Sequence, residues 1–166
     1  TWLPEISYGF GASVRWKNLD VSVLFQGVSH VTMMLSGQAF WPFSSNNMQT
    51  AGFFEDVYDN IWREKNPDPN ATYPRISITK NENNQQASTY WQRDASYLRL
   101  KNFTVGYTIP RRLTRKIGID PIRIYVSAIN PVTFSKFKVF DPELAGGQGD
   151  GYPPTRIFSF GLNFNF

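Results

Sequence analysis

Residues 158–166 read FSFGLNFNF. Phe158, Phe160, Leu162, Phe164 and Phe166 fall at every second position, with Ser159, Gly161, Asn163 and Asn165 between them. A repeat of two is that of an extended strand, whose successive side chains point to opposite faces. One face of this strand is large and apolar. The other is small and polar, with no charge at all. A strand on the outside of a soluble sandwich ordinarily turns Lys, Glu or Thr to water. An apolar side against hydrocarbon and a polar side against an enclosed aqueous space is the alternation of an outer-membrane barrel strand.

Four further runs repeat the pattern. Ile6, Tyr8, Phe10, Ala12, Val14 and Trp16 alternate with Ser7, Gly9, Gly11, Ser13 and Arg15, and after Lys17-Asn18 a second run places Leu19, Val21, Val23 and Phe25 in alternation. These two read as a hairpin with a tight turn. A third run, about 96–109, carries Leu98 and Leu100 on one parity and Phe103, Val105, Tyr107 and Ile109 on the other, so a bulge is expected near Lys101-Asn102. The fourth covers about 121–130, and the fifth about 155–166. Each run is about 9–14 residues, longer than the usual soluble strand of about 5–6 and near the 9–11 of a tilted membrane strand. Ser7, Ser13, Arg15, Asp20, Gln26, Arg123 and Asn163 are expected on the lumenal face. Trp16, Tyr107 and Phe166 end runs at short turns or at the terminus, where an aromatic girdle belongs. The alternative is a soluble, secreted β-sandwich with an aromatic core that binds carbohydrate.

Connections of unequal length favour the barrel. Residues 17–18 and 110–118 are short or moderate links, whereas residues 29–95 and 131–153 form long ones, expected as outer loops. The longer loop is expected to hold one helix, because Phe54, Val57, Tyr58, Ile61 and Trp62 recur at helical spacing and Pro67 stops it. The polar run 81–86 is read as a mobile loop tip. Five strands cannot close a membrane barrel, since single-chain barrels start at about eight, and open edges in lipid leave backbone groups unpaired. Further strands are therefore expected from upstream polypeptide or another chain. No initiator Met and no basic-then-apolar leader precede the first run, as for a mature product or a piece of a longer chain.

Composition narrows the chemistry. The 166 residues include 14 Phe, 8 Tyr and 5 Trp but only 18% charged residues, against generic disorder and coiled coil. With no Cys there is no disulfide frame, Cys-based zinc site or thiol catalysis. A net charge of +4 without a basic run longer than Arg111-Arg112 does not call for nucleic acid. No stretch of about 18 apolar residues forms a membrane helix.

The single His30 leaves no His-based metal site or triad and reads as a strand-end surface residue. Glu55, Asp56 and Asp59 sit where carboxylates favour a helix start. The glycines of residues 146–151 lack the following helix of a dinucleotide fingerprint and read as an outer loop. Asp141, Glu143 and Asp150 are weak Ca²⁺ candidates at irregular spacing, and the sequon at Asn70 carries no further reading. No nucleophile–base set is visible, so an enzyme is the least supported class, and no cofactor is implied. Trp41, Phe43, Tyr90, Trp91 and Tyr152 lie in or beside the long loops. Their flat faces can stack on sugar rings or anchor a partner; the alternatives are packing of the loop on its own helix and an upper girdle.

A family resemblance joins these pieces. ASYLRLKNFTVGYTIP (95–110) closely resembles a segment near the C-terminus of SusC/RagA-type TonB-dependent transporters of the Bacteroidetes. RIYVSAIN (123–130), FDPE (140–143) with Gly146-Gly147, and YPPTR (152–156) leading to the terminal Phe match in the same order, and NATYPR (70–75) resembles the loop before them. The resemblance implies the last five strands of an outer-membrane barrel of about 22 strands. It also implies an N-terminal plug, a SusD-like surface lipoprotein as lid, TonB as energy source, and glycan or peptide as cargo. Plug, TonB-contacting segment and most of the barrel are absent from this chain. The terminal pattern Phe158, Phe160, Leu162, Phe164 and Phe166 resembles the signal read by the barrel assembly machinery, which would bind it by strand addition. Deleting Phe166 is therefore expected to lower the amount of receptor inserted in the outer membrane without changing cargo choice. Unchanged surface abundance of the deletion variant, measured by surface labelling, would refute this.

Overall fold

The computed structural model describes residues 3–37, 40–41, 55–77, 81–115, 121–144 and 146–164. In chain order the elements are β1 (Ile6–Trp16), β2 (Leu19–Ser29), β3 (Thr32–Met34), α1 (Glu55–Asp59), β4 (Gln92–Asp94), β5 (Tyr97–Thr108), α2 (Arg111–Thr114), β6 (Arg123–Ser135) and β7 (Ile157–Asn163). Two compact units result. One comprises residues 1–31, 95–143 and 153–166; the other comprises residues 32–94 and 144–152.

The first unit is one antiparallel sheet in the order β1-β2-β5-β6-β7. Register sorts its side chains cleanly. Phe10 faces Phe25, Val21 faces Val105, Tyr107 faces Ile124 and Val126 faces Phe160, all on one side. The Phe10 and Phe25 rings stack at 5.1 Å. Among the described residues no protein layer lies over that side: Phe158 is 70% exposed, Phe160 72% and Trp16 66%. A soluble sandwich requires this face to be covered by a second sheet, so the sandwich alternative fails on its central feature.

The expected bulge of β5 is present, and two details differ from expectation, in β6 and β7. Lys101 is the extra residue of β5, between Leu100, which faces Phe25, and Asn102, which faces Leu24. On the other flank Leu100 faces Val132 while Asn102 faces Ile129, so Asn130 and Pro131 fall in the irregularity. Asn130 takes φ +52° there. A proline has no N–H for the ladder and is tolerated in a sheet mainly at bulges and edges. The bulge absorbs Pro131, and β6 continues to Ser135, beyond its expected end at residue 130. Val132 and Phe134 rejoin the apolar face opposite Leu100 and Leu98. β7 is shorter than expected, spanning Ile157–Asn163. At the β1–β2 turn, Lys17 adopts φ +54° and its ammonium lies 4.9 Å from the Trp16 ring centroid.

The second unit is built from the long connections. β3 and β4 pair as a short ribbon that the alternation did not announce, with Thr32 opposite Asp94. The helix is shorter than the spacing predicts. It ends at Asp59 because the following backbone bonds to Tyr73 instead: Tyr73 N–H donates to the Asn60 carbonyl at 3.1 Å and Trp62 N–H to the Tyr73 carbonyl at 2.9 Å. Phe54 lies outside the described residues. Residues 81–86, expected as a mobile tip, are turned and hydrogen-bonded: Asn81 Oδ1 accepts from the Asn83 N–H, and Asn84 Nδ2 donates to the Arg75 carbonyl. Met33, Leu35, Phe40, Val57 and Trp91 are buried here.

Gly147 is a fixed point of this unit. Ser36 N–H donates to its carbonyl at 2.9 Å, and a Cβ added at Gly147 would fall on the Met34 carbonyl. Backbone cannot swing aside as a side chain tip can. Gly147→Ala is expected to destabilise the 144–152 segment by about 1–3 kcal/mol, the usual cost of overpacking. Limited proteolysis should show new cleavage there; an unchanged digestion pattern would count against the role of this close approach.

Candidate functional site

The side of the sheet opposite the apolar one carries the polar residues. Ser7, Ser13, Arg15, Asp20, Gln26, Arg123 and Asn163 all fall on it by register. Glycine makes room for long side chains to cross this face. Arg123 on β6 reaches over Gly106 on β5 to Asp20 on β2, with Nε–Oδ1 at 3.0 Å and Nη2–Oδ2 at 2.5 Å. Any Cβ at Gly106 would meet the guanidinium. The two-pronged geometry matches the planar fork of Arg to a carboxylate. Tyr125 lies over Gly161 of β7 in the same way, and the Arg123 guanidinium sits 5.0 Å from its ring centroid.

A second cation on this face is buried. Arg99, 1% exposed, binds Asp141 through Nη2 at 2.5 and 2.7 Å and Glu143 through Nη1 at 2.8 Å. Lys101 adds a 3.5 Å pair to Glu143, and the Arg99 guanidinium lies 5.4 Å from the Tyr97 ring centroid. Taking an isolated guanidinium out of water is costly unless carboxylates and hydrogen bonds compensate. Asp141 and Glu143 supply that compensation, and the Asp141 Oδ1 also accepts the Glu143 N–H at 2.9 Å. The Ca²⁺ grouping considered from sequence is therefore not assembled. Asp141 and Glu143 converge on Arg99, while Asp150 belongs to the other unit. Among the described residues no group of three or more His, Cys, Asp or Glu is placed to hold a metal ion.

The loop aromatics separate into packed and exposed ones. Trp91 is buried, donates its indole N–H to the Asn84 carbonyl at 2.8 Å, and meets Tyr90 edge-on at 5.0 Å. It packs its own loop. Tyr90 is exposed along one edge, and its phenol is pushed above the usual range by partial burial, against the opposing charge of Arg93. Trp41 has its indole nitrogen buried, without a partner among the described residues, in a small cleft beside Pro74 and Asn84. Tyr152 is 84% exposed. Phe43 lies outside the described residues. Trp16, Leu19 and Tyr107 form one row across β1, β2 and β5, which puts Trp16 and Tyr107 at one level on the apolar face. Phe158, Phe160 and Leu162 sit on β7 with Phe164 just beyond, all exposed; Phe166 lies outside the described residues. His30 follows β2 at φ +55° and pairs through Nδ1 with Glu5 at 3.2 Å.

The sequence reading missed Arg99 and the company it keeps. Its place between Leu98 and Leu100 assigns it to the polar face, but nothing local announces carboxylates about forty residues away.

Known proteins similar to this chain in sequence are TonB-dependent receptors by name, and those similar in backbone are structures of a peptide importer. No family model matches the chain. The TonB-dependent receptor P3 of Formosa agariphila is 28% identical over 98% of this chain, and TonB-dependent receptor SusC of Bacteroides thetaiotaomicron is 27% identical over 98%. The chain spans 16% and 15% of those two relatives. The RagAB peptide importer, in its open-open and closed-closed states, superimposes with TM-scores of 0.75 and 0.76 at 27% identity, over 100% of this chain and 18% of that one. Along nearly its whole length, in both sequence and backbone, the chain is similar to one part of the SusC- and RagA-type TonB-dependent receptors of the Bacteroidetes.

Proposed function

We propose that the five-stranded sheet is part of the wall of an outer-membrane importer of a Gram-negative bacterium. The observation that carries this is the uncovered apolar face. Phe158, Phe160 and Trp16 are more than half exposed in an array that runs across all five strands. Hydrocarbon is the medium in which such a face is stable, and the ordered polar face behind it then lines the aqueous interior. Each edge strand, β1 and β7, has a neighbour on one side only. In lipid those edges require further strands, so the whole receptor closes its barrel with strands outside this chain, about 22 in all by the family's pattern.

In this reading the sheet is the C-terminal part of the barrel, the long connections face outward, and β7 with the residues after it carries the assembly signal. A SusD-like surface lipoprotein covers the outer loops, where Tyr90 and Tyr152 offer exposed aromatic faces to lid or cargo. A plug supplied by the rest of the receptor is displaced by TonB. The cargo is glycan or peptide, the second favoured by the likeness to a peptide importer. The barrel moves cargo and performs no covalent chemistry on it.

Opposite faces of β7 give a direct test. Phe160→Arg puts a charge on the lipid side and is expected to cost about 2–4 kcal/mol if the site is near the bilayer centre. Ser159→Arg, one residue away on the lumenal side, is expected to fold normally. Urea unfolding of the full receptor in lipid vesicles, read by heat-modifiable gel migration, distinguishes them. Equal tolerance of both variants would remove the membrane reading. Transport is tested separately: uptake of labelled oligosaccharides or peptides should vanish on deletion of either the receptor or TonB, and uptake that persists without TonB would overturn the importer assignment.

A further inference from the structure

The polar face of the sheet holds an open-mouthed cavity of about 260 Å³ near the bulge of β5 and β6. Arg99, Asn130, Thr133, Ser135, Lys138 and Arg156 line it. Two buried polar atoms in this wall have no partner among the described residues: Arg99 Nε, a donor, and Asn130 Oδ1, an acceptor. The remaining polar atoms of both residues are engaged. Arg99 holds Asp141 and Glu143 through its terminal nitrogens, and Asn130 Nδ2 donates to the Thr155 carbonyl at 3.1 Å. Asn130 is held in place by the bulge at φ +52°, so its orphaned oxygen is a fixed feature. Buried polar atoms without partners are rare and mark places where a ligand or water completes the set.

Charge adds a direction. Among the described residues, Arg99, Lys101, Lys138 and Arg156 stand in and around the cavity against two carboxylates, Asp141 and Glu143. Those two are committed to Arg99 and Lys101. Lys138 and Arg156 are exposed, and neither has a charged or hydrogen-bonding partner among the described residues. The site is thus short of negative charge and, at Asn130, of a hydrogen-bond donor.

We propose that this cavity is a cargo subsite for a single carboxylate-bearing unit, a conclusion that rests on the importer reading. The carboxylate is met by Lys138, Arg156 and the free Arg99 Nε–H, while a neighbouring hydroxyl or amide N–H of the same unit donates to Asn130 Oδ1. Thr133 and Ser135 add hydroxyls to the polar side of the cavity, and Phe137, Phe140, Asp141, Pro142 and Pro154 line the rest. A volume of this size admits one sugar acid or one acidic amino-acid residue, below the range for larger ligands. Both sources share the carboxylate with an adjacent donor, and the test tells them apart.

The full-length receptor in lipid nanodiscs is titrated calorimetrically with two matched pairs. One is trigalacturonate against neutral galactotriose; the other is an end-capped pentapeptide with a central Asp against its Asn counterpart. The acidic member of one pair is expected to bind at least about tenfold more tightly, as charge-assisted hydrogen bonds allow, and the preference should shrink as salt rises. The pair that responds identifies the source. The double variant Lys138→Gln, Arg156→Gln changes only exposed side chains and is expected to abolish the preference for the acidic member. Acidic and neutral members that bind alike, or a preference that survives in the double variant, would overturn the subsite. TonB-dependent uptake of the neutral members without acid preference would sink the subsite alone; absence of both binding and uptake for every probe would sink the importer reading with it.

Discussion

A hydrogen-bonded sheet with large apolar side chains on one side and nothing of its own chain over them is stable only in a solvent that tolerates both features. Water satisfies the unpaired backbone of an edge but penalises a broad apolar face. Hydrocarbon accepts the face and penalises every unpaired N–H and C=O. Lipid contact therefore comes with a demand for closure. The two requirements together explain why a sheet with exposed Phe158 and Phe160 also needs neighbours for β1 and β7.

The polar face obeys different rules, because charges enclosed in a barrel must find partners. Its two principal ion clusters solve that problem by reaching across strands. Arg123 spans the groove left by Gly106 to bind Asp20, tying three strands together. Arg99 draws Asp141 and Glu143, residues beyond the end of β6, down onto β5. A buried ion pair is weak evidence for net stability, since desolvation offsets attraction. Its value here lies in position: the 141–143 segment is held over the sheet by a cation that would be untenable alone, and this in turn shapes the cavity at Asn130.

The described parts of the long connections are folded. Their aromatic residues do two jobs. Trp91 and Phe40 supply the apolar interior that a polar loop lacks, and Asn84 bonds the Trp91 indole to the neighbouring turn. Tyr152 remains in solvent. Only the exposed group is available to partners, so the aromatic surface of these loops is smaller than their aromatic content.

Alternation by itself determined the five strands of the main sheet, their two faces and the bulge at Lys101, because a period of two is a local property and a parity break is visible wherever it occurs. It also assigned Arg123, Asp20 and Asn163 to one face. It stopped short at Pro131, where a local rule against proline in strands is relaxed only if the partner strand has a matching irregularity, and Lys101 provides one. The helix was overextended for a related reason: Ile61 and Trp62 keep helical spacing, but Tyr73 competes for their backbone. Tertiary structure alone decided that Asp141 and Glu143 serve Arg99 rather than a cation, and that Lys138, Arg156 and Asn130 meet in one cavity. Those groupings depend on register and on backbone positions far apart in the chain, which no local pattern encodes.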